Sequence, residues 1–162
     1  MSNLRVLVAG DSDVLNAVLK TSLMCWGYDV ITAEDGEQAC LALCIGNIDL
    51  CILATDLPKV GGLKVCTFIR QCDLVTQPFV ILLTSTVSAE SMRSAYLAGA
   101  NDFLTTPFSL RDLKSRIAGI ACRLSEAESE AQAVQTLDPV ERYRRDLSLH
   151  ADVHASRFSG NH

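Results

Sequence analysis

Short polar segments follow four apolar runs of this chain, and they hold the side chains that could do chemistry. The segments are Gly10-Asp11, Ala54-Thr55-Asp56, Thr84-Ser85 and Thr105-Thr106-Pro107. Two of them supply a carboxylate, at Asp11 and Asp56, and carboxylates can ligate Mg²⁺ or act as nucleophiles. The other side chains are hydroxyls, apart from Pro107 and Ala54, and the methyl group of Ala54 has no nucleophilic oxygen. No glycine-rich phosphate loop, G-x-S-x-G motif or zinc-ligand spacing accompanies them.

Apolar runs and helical patterns alternate along the first part of the chain and predict the elements that position these segments. The predicted strands are Val6–Ala9, Tyr28–Thr32, Leu50–Leu53, Phe79–Leu83 and Asp102–Leu104, and the helices between them run over 14–26, 35–46, 63–72 and 88–98. Strands that are apolar on both faces are typical of a parallel sheet covered by helices. We therefore predict an α/β fold with a doubly wound, flavodoxin-like sheet of order 2-1-3-4-5, in which the four polar segments meet at the carboxyl ends of the strands.

The pattern resembles the receiver domain of bacterial response regulators from about Leu4 to Leu124. The motifs that carry the resemblance are Val6-Leu7-Val8, Pro58-x-x-Gly61-Gly62-Leu63, the strand that ends at Thr84, Ala98–Leu104 and Pro107-Phe108. By this resemblance Ala54 stands four residues before the proline, where the family has its phosphate-accepting aspartate. Gly10 and Asp11 stand where the family has two acids that hold Mg²⁺.

The remaining positions implied by the resemblance are altered in part. Thr106 stands at the lysine of the family, Thr84 at its hydroxyl residue and Phe103 at its aromatic switch. Without the carboxylates Mg²⁺ has too few ligands, and without the phosphate a buried lysine would be an unpaired charge. The resemblance therefore implies a degenerate pseudo-receiver in two-component or phosphorelay signalling, which is not an enzyme, needs no cofactor or metal, and acts by binding proteins.

Two alternatives stay open. Asp56 or Asp11 could serve as a displaced phosphate acceptor with Mg²⁺, or the emptied pocket could bind a small ligand. A structural role is also open for each polar residue. Asp11 could cap the first helix, and Thr84 and Thr106 could be loop hydroxyls bonded to the backbone.

The resemblance further implies an output face on the fourth helix, fifth strand and fifth helix. It carries Phe103, Arg93, Arg111 and Lys114. The upstream kinase or downstream effector that would bind there is not named by the sequence.

A long fifth helix is predicted to begin after Ser109, with Asp112 completing a capping box. Its apolar residues recur at heptad spacing and predict a homodimer seam, or a face that packs on its own domain, through Leu113, Ile117, Ile120, Leu124, Ala127, Ala131 and Val134. We predict a receiver-like domain over 1–124, a helical extension over 125–149 that restarts at Pro139, and a disordered tail over 150–162.

Composition bounds the remaining possibilities. The net charge of −5 does not favour nucleic acid as a partner, and no apolar run or signal peptide indicates a membrane or export, so a cytoplasmic location is expected. The seven cysteines are expected to behave mainly as small buried hydrophobes. Cys40 and Cys44, one helical turn apart, could bind a soft metal, but no second pair accompanies them.

Overall fold

A computed structural model describes residues 3–74 and 77–136. Five strands form one parallel sheet of order β2-β1-β3-β4-β5. They are β1 (Arg5–Ala9), β2 (Asp29–Ala33), β3 (Leu50–Ala54), β4 (Phe79–Thr84) and β5 (Asp102–Thr105). The helices are α1 (Asp13–Cys25), α2 (Gly36–Ile45), α3 (Gly62–Gln71), α4 (Ala89–Leu97) and α5 (Leu110–Thr136). The predicted fold class and strand order are therefore confirmed.

Burial on both faces explains why the central strands are apolar throughout. All five residues of β3 are buried, as are the last four of β1. Because successive side chains of a strand point to opposite faces, Leu7, Cys51 and Leu82 join the core under α2 and α3. Their neighbours Val6, Ile52 and Ile81 are equally buried.

Local signals fix where the helices begin and end. Ser12, Asp35 and Ser88 cap α1, α2 and α4 by accepting a hydrogen bond from a backbone N–H in the first turn. Gly27 and Gly99 follow α1 and α4 with φ of 92° and 95°, left-handed values that glycine adopts without steric cost.

Two compact units make up the chain, one ending at Arg116 and the other beginning at Ile117. The boundary falls inside α5, which continues past Leu124 as predicted and reaches Thr136. The predicted second helix near Pro139 and the tail over 150–162 lie outside the described residues. Among the helices that the structure describes, none is both long enough and apolar enough to cross a membrane.

The cysteines depart from the expectation that they are buried. Cys51 and Cys66 lie in the core, where burial raises the pKa of both thiols. Cys40 and Cys72 are half-buried, and the other three are exposed at Cys25, Cys44 and Cys122. The core interpretation was therefore wrong for Cys44, because the apolar run around it belongs to a helix with one face in solvent.

Candidate functional site

The polar segments meet in one cleft at the carboxyl ends of the strands, as the topology predicts. The cleft is lined by Asp11, Leu15, Ala54, Thr55, Asp56, Leu83, Thr84, Ser85 and Thr106. Of the residues predicted for the pocket, Gly10 alone is not part of the lining. The volume of the cleft is about 30 Å³, which is room for about two water molecules.

Ala54 is the last residue of β3 and is 5% exposed. The backbone around it is held on both sides. The Thr55 N–H donates to the Leu83 carbonyl at 2.9 Å, and the Gly62 N–H donates to the Thr55 carbonyl at 3.1 Å. A side chain at Gly62 would collide with the Ala54 carbonyl. The chain therefore presents the residue-54 side chain in a fixed place, and that side chain is a methyl group.

Gly10, at the end of β1, is bonded to a side chain that sequence reasoning missed. The amide oxygen of Asn16 accepts from the Gly10 N–H at 2.7 Å, and the Asn16 amide nitrogen donates to the Gly10 carbonyl at 3.4 Å. Asn16 is buried, at 9% exposure. It shares one face of α1 with Leu19 and Leu23 at helical spacing, so a polar residue on an apolar helix face was the signal available in the sequence.

Asp11 and Asp56 are the two carboxylates of the cleft, and both are exposed. The interpretation of Asp11 as a helix cap is wrong. Ser12 occupies the cap position, and its hydroxyl accepts from the Leu15 N–H at 3.1 Å. Asp11 is thus left without the structural role that the sequence suggested for it.

The hydroxyls of Thr84 and Thr106 bond to nearby backbone groups. The Thr84 hydroxyl donates to the Thr86 carbonyl at 3.2 Å and accepts from the Thr86 N–H at 3.3 Å. The Thr106 hydroxyl donates to the Thr84 carbonyl at 3.3 Å. Within the described residues, every buried side-chain nitrogen and oxygen has a hydrogen-bond partner. The cleft therefore has no unpaired buried polar group waiting for a ligand.

The cleft supplies few oxygen ligands for Mg²⁺. This ion demands near-octahedral oxygen ligands and is usually held by one or two carboxylates together with phosphate oxygens. Asp11 and Asp56 are the two carboxylates that line the cleft, and the Gly10 backbone is hydrogen-bonded to the Asn16 side chain. In the part of the chain that the structure describes, no three His, Cys, Asp or Glu side chains are arranged to hold a metal.

The loop between β3 and α3 is clamped to the start of α2. The Gly36 N–H donates to the Pro58 carbonyl at 3.2 Å, and a side chain at Gly36 would collide with the Val60 carbonyl. The Lys59 ammonium lies 3.5 Å from Asp35 and 3.6 Å from Glu37. The hydrogen bond from the Gln38 N–H and the nearby Lys59 charge lower the pKa of Asp35.

The four residues predicted for the output face differ in their exposure and contacts. Phe103 is half-buried in β5, and Arg93 and Arg111 are exposed. Lys114 is exposed as well, but its ammonium lies 5.7 Å from the centre of the Trp26 ring at the end of α1. The side chain of Lys114 is therefore directed towards the end of α1, and its part in an output face stays a prediction.

An ion pair that the sequence did not predict lies at the edge of the sheet. Arg116 donates to both carboxylate oxygens of Asp102, at 2.7 and 2.6 Å, and lies 3.4 Å from Asp112. The hydrogen bonds to Asp102 raise the pKa of Arg116. The pair joins β5 to α5, and no periodicity within a single element relates the two residues.

Burial limits the predicted heptad seam. Leu113, Ile117 and Ile120 are 0%, 0% and 7% exposed in the single chain. Leu124 is half-buried and Ala127 is exposed, while the side chains of Ala131 and Val134 lie outside the described set. The first three residues of the seam are thus already buried within the single chain.

Comparisons with known proteins agree with this geometry. Residues 6–118 match the family model of the response regulator receiver domain. The chain is 37% identical over 122 residues to the alkaline phosphatase synthesis transcriptional regulatory protein PhoP of Bacillus subtilis, covering 75% of this chain and 50% of that protein. It is 34% identical over 146 residues to the response regulator MprA of Mycobacterium avium, covering 86% of this chain and 62% of that protein. The chain thus spans roughly half the length of these curated relatives.

Solved structures give the same result. The signal receiver domain of a putative LuxO repressor from Vibrio parahaemolyticus superposes with a TM-score of 0.72 at 28% identity, over 78% of this chain and 96% of that one. The receiver domain of the Francisella response regulator 1452 gives 0.70 at 29% identity, over 75% and 99%. Fold, motif positions and relatives agree, and the chain belongs to the response regulator receiver domain family.

Proposed function

We propose that this receiver domain works without an acceptor aspartate, as a pseudo-receiver that signals by protein interaction. The observation that carries the proposal is the Ala54 methyl group at the carboxyl end of β3. A phosphoryl group moves from nitrogen or oxygen to a carboxylate nucleophile, and a methyl group cannot accept it.

The hydrogen bonding of the cleft supports this proposal. The Asn16 side chain is hydrogen-bonded to the backbone of Gly10, and the hydroxyls of Thr84 and Thr106 are hydrogen-bonded to backbone carbonyls. A phosphoryl group would need free donors in the cleft, and these groups are already hydrogen-bonded within the protein. In our proposal the domain is therefore held in one state, or is biased by a partner that binds one state more tightly.

A displaced acceptor is the second candidate, since Asp56 and Asp11 are both exposed and line the same cleft. Against it stands the loss of the lysine, because Thr106 brings no charge to offset a phosphoryl group. The small-ligand alternative is disfavoured by size. A cleft of about 30 Å³ is far below the ~300 Å³ at which ligand pockets begin.

The partner in this proposal is another protein. One structure similar to this chain, at 25% identity and a TM-score of 0.69, is a complex of the yeast histidine phosphotransfer protein Ypd1 with the receiver domain of Ssk1. By analogy we propose a cytoplasmic kinase, phosphotransfer protein or effector as the partner. Arg93 and Arg111 on the exposed output face are available to an acidic surface of such a protein.

Homodimerisation through α5 is a further part of the proposal. Of the predicted seam, Leu113, Ile117 and Ile120 are buried in the single chain, so the part of the seam left for a second copy begins at Leu124. Light scattering of the whole chain and of a chain ending at residue 124 tests this. We expect a dimer for the first and a monomer for the second, and a whole chain that is monomeric at micromolar concentration would contradict it.

The main test is incubation with acetyl phosphate and Mg²⁺, followed by intact mass and peptide mapping. We expect no gain of the roughly 80 Da that a phosphoryl group adds. The matched control is the triple variant Gly10→Asp, Ala54→Asp, Thr106→Lys, which restores the charged groups of the family and should gain this mass. A phosphoryl group recovered from Asp56 or Asp11 of the native chain would support the displaced acceptor and end the pseudo-receiver proposal.

A further inference from the structure

One arginine joins the end of α3 to the turn that follows α4. Arg70 lies in the last turn of α3, is half-buried, and donates four hydrogen bonds through its guanidinium. Its Nε donates to the Gly99 carbonyl at 2.9 Å, and its Nη2 donates to the Asn101 side-chain oxygen at 2.7 Å. Its Nη1 donates to the Pro78 carbonyl and to the Gln77 side-chain oxygen, each at 2.9 Å. A single side chain thus binds both the segment before β4 and the turn between α4 and β5.

The partners of Arg70 are themselves held in place. The Asn101 side-chain oxygen also accepts from the Val80 N–H at 2.9 Å, and the Asn101 N–H donates to the Val80 carbonyl at 2.9 Å. The Gln77 amide nitrogen donates to two carbonyls at the end of α3, each at 3.2 Å. Because its acceptors are fixed to β4 and α3, Arg70 attaches the turn to the rigid part of the domain.

Close packing adds to these hydrogen bonds. Gly99 has a φ of 95°, and a Cβ at that position would lie 2.6 Å from the Arg70 Cγ. The aliphatic part of Arg70 therefore lies directly against the backbone of the turn. A guanidinium offers several N–H donors in a fixed planar arrangement, which the single nitrogen of a lysine does not.

Apolar packing holds α4 only weakly. Ala95 is the one buried residue of this helix, and Ala98 and Ala100 of the following turn also pack on the core. Tyr96 and Leu97, by contrast, are 60% and 80% exposed. Burial stabilises in proportion to the apolar area removed from water, and the methyl group of an alanine contributes little of it. The position of α4 therefore depends strongly on how its ends are attached.

The hydrogen bonds at the start of α4 stay within its own first turn and the loop before it. Ser88 and Ser91 form a capping box, in which each hydroxyl accepts from the N–H of the other residue, at 2.9 and 3.0 Å. The Ser91 hydroxyl also donates to the Thr86 carbonyl at 3.3 Å. These bonds cap the helix but do not join it to another helix. The attachment of α4 to α3 thus lies at the other end, at Arg70.

We propose that Arg70 is a latch that sets the position of α4, and that α4 moves as a unit when the latch opens. Four hydrogen bonds and one close contact fix the end of a helix whose own packing is slight. Arg93 of the predicted output face lies on α4, so the latch sets where that side chain is presented. This consequence rests on the proposed function, in which a partner binds one state of the domain more tightly.

Hydrogen exchange of the full-length chain, read by mass spectrometry, tests the latch. Arg70→Lys keeps the positive charge and a long aliphatic chain, but its one nitrogen cannot reach every acceptor of the guanidinium. We expect the amides of α4 and its turn to exchange about tenfold faster, by a common factor, because the lost hydrogen bonds no longer oppose opening of the helix. The first turn of α1 opens without breaking any bond of Arg70, so its exchange should stay unchanged.

Arg93→Lys is the matched control, because it makes the same change at an exposed side chain on α4 itself. It should leave the exchange of α4 as it is in the native chain. Two results with Arg70→Lys would overturn the proposal. One is unchanged exchange in α4, which would mean that opening of the helix does not involve Arg70. The other is an equal increase in α1 and α4, which would assign Arg70 to general stability.

A measurement on the native chain does not depend on whether a variant folds. The Arg70 Nε proton is bonded to the Gly99 carbonyl, whereas the Arg93 side chain is exposed. In proton–nitrogen NMR spectra the Arg70 Nε proton should exchange with water at least about tenfold more slowly than that of Arg93. Equal rates would contradict the latch. Neither experiment detects phosphorylation, so the latch and the pseudo-receiver proposal can fail separately.

Discussion

Two neighbouring regions of this receiver domain, the cleft floor and the β3–α3 loop, differ in how closely they follow the pattern of the family. The cleft floor, by which we mean Ala54, Thr84 and Thr106 together with the adjoining Gly10, carries no charged side chain. The β3–α3 loop, residues 55–61, keeps the framework that surrounds such a site, with backbone contacts at Gly36 and Gly62 that leave no room for a side chain. The difference teaches that close packing and backbone hydrogen bonds hold the shape of this end of the sheet.

The largest expected effect comes from the loop side of this comparison. Gly62→Ala places a Cβ against the Ala54 carbonyl, which is fixed in the sheet and cannot move away. We expect a loss of about 3 kcal/mol in the free energy of unfolding, as for overpacked cores, measured by urea denaturation.

The chain offers a matched control of opposite sign. Gly119 is a helical glycine with no neighbouring atom near its missing Cβ. Gly119→Ala should therefore increase stability by about 0.5–1 kcal/mol, because glycine costs that much within a helix. Equal effects at Gly62 and Gly119 would contradict the claim that close backbone packing holds the loop.

On the cleft floor, Gly10→Asp introduces a carboxylate where receiver domains have one. In this protein the Asn16 side chain fills that space. A Cβ at Gly10 would lie 2.6 Å from the Asn16 amide oxygen, so Asn16 must give up its hydrogen bonds. We expect a loss of about 2 kcal/mol at neutral pH from displaced hydrogen bonds and a poorly solvated charge.

Gly10→Ala separates the two causes, because it adds the same Cβ without the charge. It should lose less stability than Gly10→Asp at neutral pH. The gap between the variants should shrink in acid, where the carboxylate is protonated. If both variants unfold at the same urea concentration as the native chain, Asn16 does not hold the floor.

These residues also show which features could be predicted from the sequence and which could not. The strand order and all five helices follow from apolar periodicity and capping residues, which act over a few positions along the chain. The place of Ala54 was implied by the family resemblance, through its distance to Pro58. The Asn16–Gly10 bonds, the Arg116–Asp102 pair and the direction of Lys114 did not follow, because they depend on how helices are rotated against the sheet. Likewise Ser12 and Asp11 are both good caps, and only the backbone geometry chose Ser12.

Thr84→Val tests the hydrogen bonds that hydroxyls of the cleft floor make to the nearby backbone. Valine has nearly the shape of threonine but cannot bond the Thr86 backbone, so a loss of about 1 kcal/mol is expected in urea denaturation. Thr67→Val is the control. The Thr67 hydroxyl makes a similar bond to the Leu63 carbonyl, but it is exposed, and water can replace the lost bond there. A cost at Thr67 as large as that at Thr84 would argue against burial as the cause.

The smallest expected effect concerns the charges that join the loop to α2. The N–H of Gln38 and, after it, Lys59 lower the pKa of Asp35. When folding lowers the pKa of a carboxyl group, the ionised group stabilises the folded chain. This stabilisation is present above the pKa of about 3.9 that the group has in the unfolded chain. It is lost as the pH falls through the lower pKa that the group has in the folded chain. Asp35→Asn keeps a good capping residue but has no charge. Its urea midpoint should therefore fall slightly below that of the native chain at neutral pH, and the two should converge in acid.

Lys59→Gln decides which partner of Asp35 matters more. It removes the ion pair and leaves the hydrogen bond from Gln38 intact, so most of the acid sensitivity that Asp35 confers should survive. The loop would then be attached to α2 chiefly by the backbone bond and close packing at Gly36, in agreement with the framework side of the comparison. The double variant, in which Asp35→Asn is added to Lys59→Gln, provides the decisive comparison. If it has the same urea midpoint as Lys59→Gln at every pH, then charge and not packing joins the loop to the helix. In that case the loop, like the phosphorylation site of the family, would depend on a charged group.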